Sequence, residues 1–274
     1  MKRRDAPSPS WSSHGEGPPV LLLHGLGSSS HVFEPLRARW PGGLRGVAVD
    51  LPCCGRSGGW AQLDPRAVAD ALAAWLEREQ PGCVAVVGHS WGGLVALELL
   101  ARGVVPQALL LATPVGGAGR LGAAGGSGLA QWTLRVGARV ELSARAVRAW
   151  LSFLWGDGPA PTPGMVQGYL HALSAPGHAA AMAEALAALG AWSSPVLPAG
   201  ARVELLHGER DPLVTRAEAE AFCARSGASL RGLAGVGHCI PEEAPGELAA
   251  WLSGLECSSG PGAVLTGAPC NGLE

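Results

Sequence analysis

The stretch Val84-Ala85-Val86-Val87-Gly88-His89-Ser90-Trp91-Gly92-Gly93-Leu94-Val95-Ala96-Leu97-Glu98-Leu99-Leu100 reads as three joined pieces. Residues 84–87 are apolar without alternation, which suits a strand buried on both faces. Residues 94–100 are apolar on every side apart from Glu98 and suit a helix buried over most of its surface. Between them Gly88-His89-Ser90-Trp91-Gly92 forms a turn with glycine on both sides of a serine. A strand running straight into such a turn and then a helix lifts the serine hydroxyl clear of the sheet, and the tight backbone leaves no room for flanking side chains.

The pentapeptide alone discriminates poorly, because glycine makes up 41 of the 274 residues. Gly55-Arg56-Ser57-Gly58-Gly59 fits the same Gly-x-Ser-x-Gly pattern. It follows Pro52-Cys53-Cys54 and precedes Gly59-Trp60-Ala61-Gln62, so Ser57 has loop on both sides and reads as a turn residue. Ser90 is therefore the candidate nucleophile.

Outward from this elbow, short apolar runs at 20–23, 47–49, 84–87 and 108–111 alternate with helical spacing at 65–80 and 91–102. Strand–helix alternation of this kind calls for right-handed crossovers and a mostly parallel sheet flanked by helices. The rhythm stops after 113. Residues 114–198 contain no strand-like run, only weak helices carrying Trp132, Trp150, Trp155 and Trp192, separated by Gly- and Pro-rich pieces. It resumes with strands at 203–206 and 229–233 and helices at 215–226 and 243–255. The expected organisation is one α/β core, 15–113 and 199–256, interrupted after the strand at 108–111 by a helical insertion at 114–198. Residues 1–14 and 257–274 are polar, Pro- or Gly-rich and aperiodic, and are expected to be loosely ordered.

A formal net charge of -2 with 15% charged residues offers no basic surface for nucleic acid or an anionic membrane. A small-molecule substrate fits better. The chain lacks a secretory h-region after its first charges and has no run of about 20 apolar residues, so a cytoplasmic location is expected. Seven cysteines without CxxC pairing suit neither a disulfide framework nor a zinc site, so reduced thiols and no metal are expected. Homo-oligomerisation is left open.

A serine hydroxyl needs a histidine within hydrogen-bond reach and an acid to fix that histidine's tautomer. With a nucleophile elbow these follow in the order serine, acid, histidine. His238, in Gly235-Val236-Gly237-His238, sits after the final strand and before the last helix. His171 and His178 lie in the insertion, His14 is near the terminus, His24 and His89 flank glycine turns, and His207 closes a strand. The strand at 203–206 continues His207-Gly208-Glu209-Arg210-Asp211-Pro212, offering Glu209 and Asp211. Asp211 is favoured because Pro212 supports a turn that directs it back over the sheet. For the oxyanion that forms on attack at a carbonyl, the N–H of Trp91 at the head of the helix is one donor, and the N–H of Leu26 in His24-Gly25-Leu26-Gly27 is the second.

Taken together these residues resemble the α/β-hydrolase superfamily over about residues 15–255. Gly15-Glu16-Gly17-Pro18-Pro19-Val20-Leu21-Leu22-Leu23-His24-Gly25 looks like the family's approach to its oxyanion loop. Asp50-Leu51-Pro52-Cys53-Cys54-Gly55-Arg56-Ser57 is similar to its Asp-x-Pro-Gly-x-Gly-x-Ser loop, with Cys53 where glycine is usual. Gly208-Glu209-Arg210-Asp211 and Gly237-His238 look like its acid and histidine loops. The strands that commonly precede the oxyanion loop are short or missing. The resemblance implies an α/β-hydrolase fold with a helical cap at 114–198 and hydrolysis of an ester or thioester by Ser90, His238 and Asp211 without a cofactor. The same residues also serve carbon–carbon hydrolases, lyases and cyclases. Relatives with aspartate as nucleophile, the epoxide hydrolases and haloalkane dehalogenases, differ from this chain at Ser90. The insertion's Trp132, Trp150, Phe153, Trp155, Met165 and Tyr169 either line an apolar substrate pocket or pack the cap on the core.

Overall fold

The computed structural model describes residues 8–58, 63–113 and 143–256. Its centre is a seven-stranded sheet in the order β1-β3-β2-β4-β5-β6-β7: β1 (Ser10–Gly15), β2 (Pro19–Leu23), β3 (Arg45–Asp50), β4 (Ala85–His89), β5 (Gln107–Leu111), β6 (Arg202–Gly208) and β7 (Ser229–Leu233). β1 runs antiparallel to β3, and every other pairing is parallel. The crossovers carry α1 (Glu34–Arg37), α2 (Pro65–Glu79), α3 (Trp91–Ala101) and α7 (Arg216–Ser226), and two helices, α8 (Ile240–Glu243) and α9 (Pro245–Glu256), follow the last strand.

The continuous apolar runs of the inner strands are explained by two cores, one on each face. Alternate residues of a strand point to opposite faces, so Leu21, Leu23, Val86, Leu110 and Leu205 pack with α2, α3 and Phe222 of α7. Val20, Leu22, Val87, Leu109 and Leu206 pack on the other side with Ile240, Leu248 and Leu252. α3 passes through the first core buried from Trp91 to Leu100. Its one carboxylate, Glu98, is satisfied by Arg102 at 2.7 Å and by the indole N–H of Trp192 at 2.8 Å.

Between β5 and β6 the described residues form three helices, α4 (Ala144–Leu154), α5 (Pro163–Leu173) and α6 (His178–Ala191). Val147, Leu151, Leu154, Val166 and Tyr169 join one core, whereas Ala181, Ala185, Leu189 and Trp192 join the other. The described helices of the insertion therefore contribute to both cores.

Two expectations need correction. Residues 10–14 are ordered as most of β1, although their sequence, Ser-Trp-Ser-Ser-His, lacks a strand's apolar alternation. An edge strand needs backbone partners more than buried side chains, and β1 has them along Arg45 to Asp50 of β3. The final helix starts at Pro245 instead of 243, because Ala244 precedes a proline and leaves the helical region at φ -132°, ψ 50°. The expected loose order of 1–7 and 257–274, and residues 114–142 of the insertion, lie outside the described residues.

Ser57 has a structural task. Its hydroxyl donates to the Asp50 carbonyl at 2.5 Å and accepts the Ser10 N–H at 2.8 Å, pinning the start of β1 to the end of β3. Asp50 in turn accepts the N–H groups of Ser30 and Arg56 at 2.8 and 2.9 Å, and Cys53 takes a left-handed φ of 55° where the resembling motif has glycine. Ser57→Ala is expected to speed amide exchange at Ser10 and lower stability by about 1–2 kcal/mol, read by hydrogen exchange and urea unfolding. Unchanged exchange at Ser10 would contradict the pin.

Candidate active site

Ser90 joins β4 to α3 with φ 51° and ψ -120°, a backbone conformation that side chains seldom adopt. Two bonds hold it: its N–H donates to the Leu111 carbonyl of β5 at 2.8 Å, and its carbonyl accepts the Gly93 N–H at 2.9 Å. A Cβ on Gly92 would stand 2.4 Å from the His24 carbonyl oxygen, and one on Gly88 would stand 2.6 Å from the Gly93 Cα. Glycine at 92 lets the turn nest against the end of β2, and glycine at 88 lets the end of β4 lie against the start of α3.

Three loops at the carboxyl ends of parallel strands converge here, as expected for an open α/β sheet. His238 Nε2 lies 3.1 Å from Ser90 Oγ, and His238 Nδ1 lies 2.8 Å from Asp211 Oδ2. The other Asp211 oxygen accepts the N–H groups of Leu213 and Val214 at 2.8 and 3.1 Å, in the turn that Pro212 opens. Burial pushes the Asp211 carboxyl up, but the His238 ring and these N–H groups outweigh it and hold the group below its ordinary range. An ionised carboxylate only accepts. The proton therefore sits on Nδ1, and the Nε2 lone pair faces Ser90. Glu209 lies outside this chain of bonds and pairs instead with Arg216 at 3.9 Å.

The histidine loop is tied at several points. His238 N–H donates to the Leu154 carbonyl at 2.7 Å, and His89 Nε2–H donates to the His238 carbonyl at 2.8 Å. The Glu243 carboxylate accepts the N–H groups of Gly156, Gly237 and Cys239 at 2.7, 3.0 and 3.1 Å, drawing the loop and the insertion together. Sequence reasoning missed Glu243. A carboxylate five residues beyond His238, at the end of a short helix, was the available signal.

His24 organises the loop after β2. Fully buried, it donates from Nδ1 to the Gly25 carbonyl at 2.7 Å and accepts the Leu51 N–H on Nε2 at 2.8 Å. Burial lowers its pKa to about 4, so the ring is neutral and this tautomer is locked. In a trans peptide the carbonyl and the following N–H point opposite ways, so fixing the Gly25 carbonyl turns the Leu26 N–H away from His24. Leu26 and Trp91 both line a cleft whose other walls include Leu51, Leu63, Met182 and Ala185. A Cβ on Gly25 would lie 3.0 Å from the Ser90 Cβ, so this loop rests directly on the elbow.

The insertion's described aromatic residues and Met165 pack on the core or lie at the surface. Trp150 and Phe153 are 51% and 56% exposed and pack on each other at the surface, with ring centroids 5.8 Å apart. Trp155 packs against the second core, and Met165 Sδ accepts the Thr162 N–H at 3.5 Å as a helix cap. Tyr169 is buried with its hydroxyl donating to Glu242 at 2.7 Å and its ring against His31. None of these five lines the cleft, and Trp132 lies outside the described residues. α4 and α5 turn their aromatic residues to the second core or to solvent, whereas the small face of α6, Ala181, Met182 and Ala185, forms the cleft wall.

Burial pushes the Glu242 carboxyl up to about 8, with Glu243 adding to the rise and the Tyr169 bond opposing it. The unfolded chain releases this proton near 4.5. Between these values the unfolded state holds fewer protons than the folded one, so Glu242 lowers stability progressively as pH rises through the window. Glu242→Gln, which keeps the Tyr169 bond, should therefore gain stability over wild type at about pH 8 and show little gain at about pH 5. Urea titrations at the two pH values check this, and an equal difference at both would refute it.

Comparison with known proteins agrees with this architecture. Residues 20–251 match the alpha/beta hydrolase family. A pimeloyl-[acyl-carrier protein] methyl ester esterase of Neisseria meningitidis serogroup A is 42% identical over 83 residues, 30% of this chain and 25% of that protein. The magnesium-chelatase 30 kDa subunit of Rhodobacter capsulatus is 33% identical over 111 residues, 39% of each chain. The matches thus span well under half of either relative. Among solved structures, an esterase from Exiguobacterium antarcticum superimposes with a TM-score of 0.74 at 18% identity, covering 90% of this chain and 95% of that one, a likeness of fold. With its sheet order, its elbow and the match across 20–251, this chain belongs to the alpha/beta hydrolase family.

Proposed function

We propose that this protein is a serine esterase, hydrolysing a carboxylic ester or thioester of a largely apolar small molecule through an acyl-enzyme on Ser90. The observation that carries the reading is the unbroken chain from Ser90 Oγ through His238 to the buried Asp211 carboxylate, at 3.1 and 2.8 Å. Its support from relatives is the similarity to a methyl ester esterase over 83 residues.

Each group has a defined task. Ser90 Oγ attacks the carbonyl carbon as His238 Nε2 takes its proton, and Asp211 stabilises the imidazolium through the Nδ1–H bond. Negative charge developing on the carbonyl oxygen is met by the N–H groups of Leu26 and Trp91 and by the positive end of α3. His238 then protonates the departing alcohol or thiol, and water, activated by the same ring, releases the acid. The apolar walls Leu51, Leu63, Met182 and Ala185 favour an apolar acyl chain.

Wild type and Ser57→Ala should react with a fluorophosphonate probe, and Ser90→Ala should not. With p-nitrophenyl esters, His238→Ala and Asp211→Asn should each lose about 10³–10⁴-fold in kcat. Labelling that survives in Ser90→Ala would overturn the proposal.

A further inference from the structure

Among the described residues, two that line the cleft, His178 and Trp91, each carry a buried side-chain nitrogen without a hydrogen-bond partner. His178, the first residue of α6, is 5% exposed and donates from Nδ1 to the Cys53 carbonyl at 2.9 Å. A carbonyl only accepts, so this bond puts the proton on Nδ1 and leaves Nε2 a bare lone pair. Among the described residues nothing donates to that Nε2. The Cys54 thiol, 3.9 Å away, stands beside Nδ1 and leaves Nε2 open. Trp91 is 2% exposed, and its indole Nε1–H is likewise buried without an acceptor.

Both residues line the same cleft, where Leu26, Leu63, Ala181, Met182 and Ala185 are the apolar surroundings. Native interiors seldom leave a buried donor or acceptor unsatisfied, and where such a group belongs to a residue lining a cleft, a ligand is one partner that can meet it. Burial, opposed by the Cys53 bond, keeps the His178 ring below its ordinary pKa, so it remains neutral and its Nε2 remains an acceptor near neutral pH.

We propose that His178 sets substrate specificity: its Nε2 accepts a hydrogen bond from a hydroxyl or amide N–H borne on the substrate's otherwise apolar chain. The indole N–H of Trp91 supplies a donor to the oxygen that accompanies that group. The preferred substrates are thus hydroxylated or amide-bearing acyl esters in place of plain hydrocarbon ones. Because the site is built to hydrogen-bond, an analogue that blocks the donor leaves His178 unpaired and is rejected more strongly than a change of chain length would be. This assignment rests on the esterase reading.

The test compares p-nitrophenyl hexanoate esters carrying, at the β-carbon or at the chain end, a hydroxyl or its methyl ether, and a terminal secondary amide or its N-methyl form. Wild type should favour at least one donor-bearing ester over its blocked twin by about tenfold or more in kcat/KM, and His178→Phe should bring that ratio close to one. Equal kcat/KM within every pair for wild type that turns over and reacts with the fluorophosphonate overturns the specificity role alone. A preference that persists in His178→Phe also overturns it. Wild type that neither turns over any ester nor labels overturns the esterase reading and this assignment with it.

Discussion

The strained turn at Ser90 is the constraint around which the rest of the molecule is arranged. Its φ of 51° belongs to a conformation that costs of order 1–3 kcal/mol and persists only where the surroundings leave no alternative. The surroundings here are β2 beneath Gly92, β5 accepting the Ser90 N–H, and a helix buried from Trp91 to Leu100 immediately behind. Relaxing the turn would require breaking sheet hydrogen bonds and lifting α3 out of the first core. The two apolar faces of the sheet thereby pay for one residue's geometry.

The polar groups near Ser90 then divide into those that meet it and those that hold the loops. His238 meets it and Asp211 reaches it through His238, on loops after adjacent strands that are joined by Arg210 N–H to the Val236 carbonyl at 2.9 Å and Glu209 N–H to the Leu233 carbonyl at 3.1 Å. His89, His24 and Glu243 hold the loops, each through backbone groups. Precision comes from this second set. A loop carrying a general base stays within hydrogen-bond range of its serine only when its carbonyls and N–H groups are committed elsewhere.

Much of this was legible from residues alone, for identifiable reasons. β2, β4 and β5 are buried on both faces, so 20–23, 84–87 and 108–111 stand out as apolar runs bounded by glycine or polar residues, and Val203, Leu205 and Leu206 mark the next strand despite Glu204. Ser90 was separable from Ser57 because only one had strand before and helix after. Asp211 was separable from Glu209 through Pro212. β1 was illegible because its stability resides in backbone pairing and in the Ser57 hydroxyl, 47 residues away, neither of which leaves a side-chain pattern. Which of the two roles the insertion's aromatic residues take was not legible, because such residues announce apolar surface without saying which way it faces. The cleft wall is instead the run of alanines and Met182 on α6, whose composition looks like ordinary helix.

The bond between Trp192 and Glu98 bears on how such a protein diversifies. Just after β5, Ala112 N–H is fastened to the Leu206 carbonyl at 3.0 Å, and just after α6 the Trp192 indole is fastened to a carboxylate in the middle of α3. The chain thus departs from and returns to the core at two anchored posts. Between them the chain also holds the histidine loop through the Leu154 carbonyl and the Gly156 N–H, so any replacement of this interval has to keep those two backbone contacts. An exchange of that interval would leave the sheet's own pairings in place, and the two anchors mark where it would be cut.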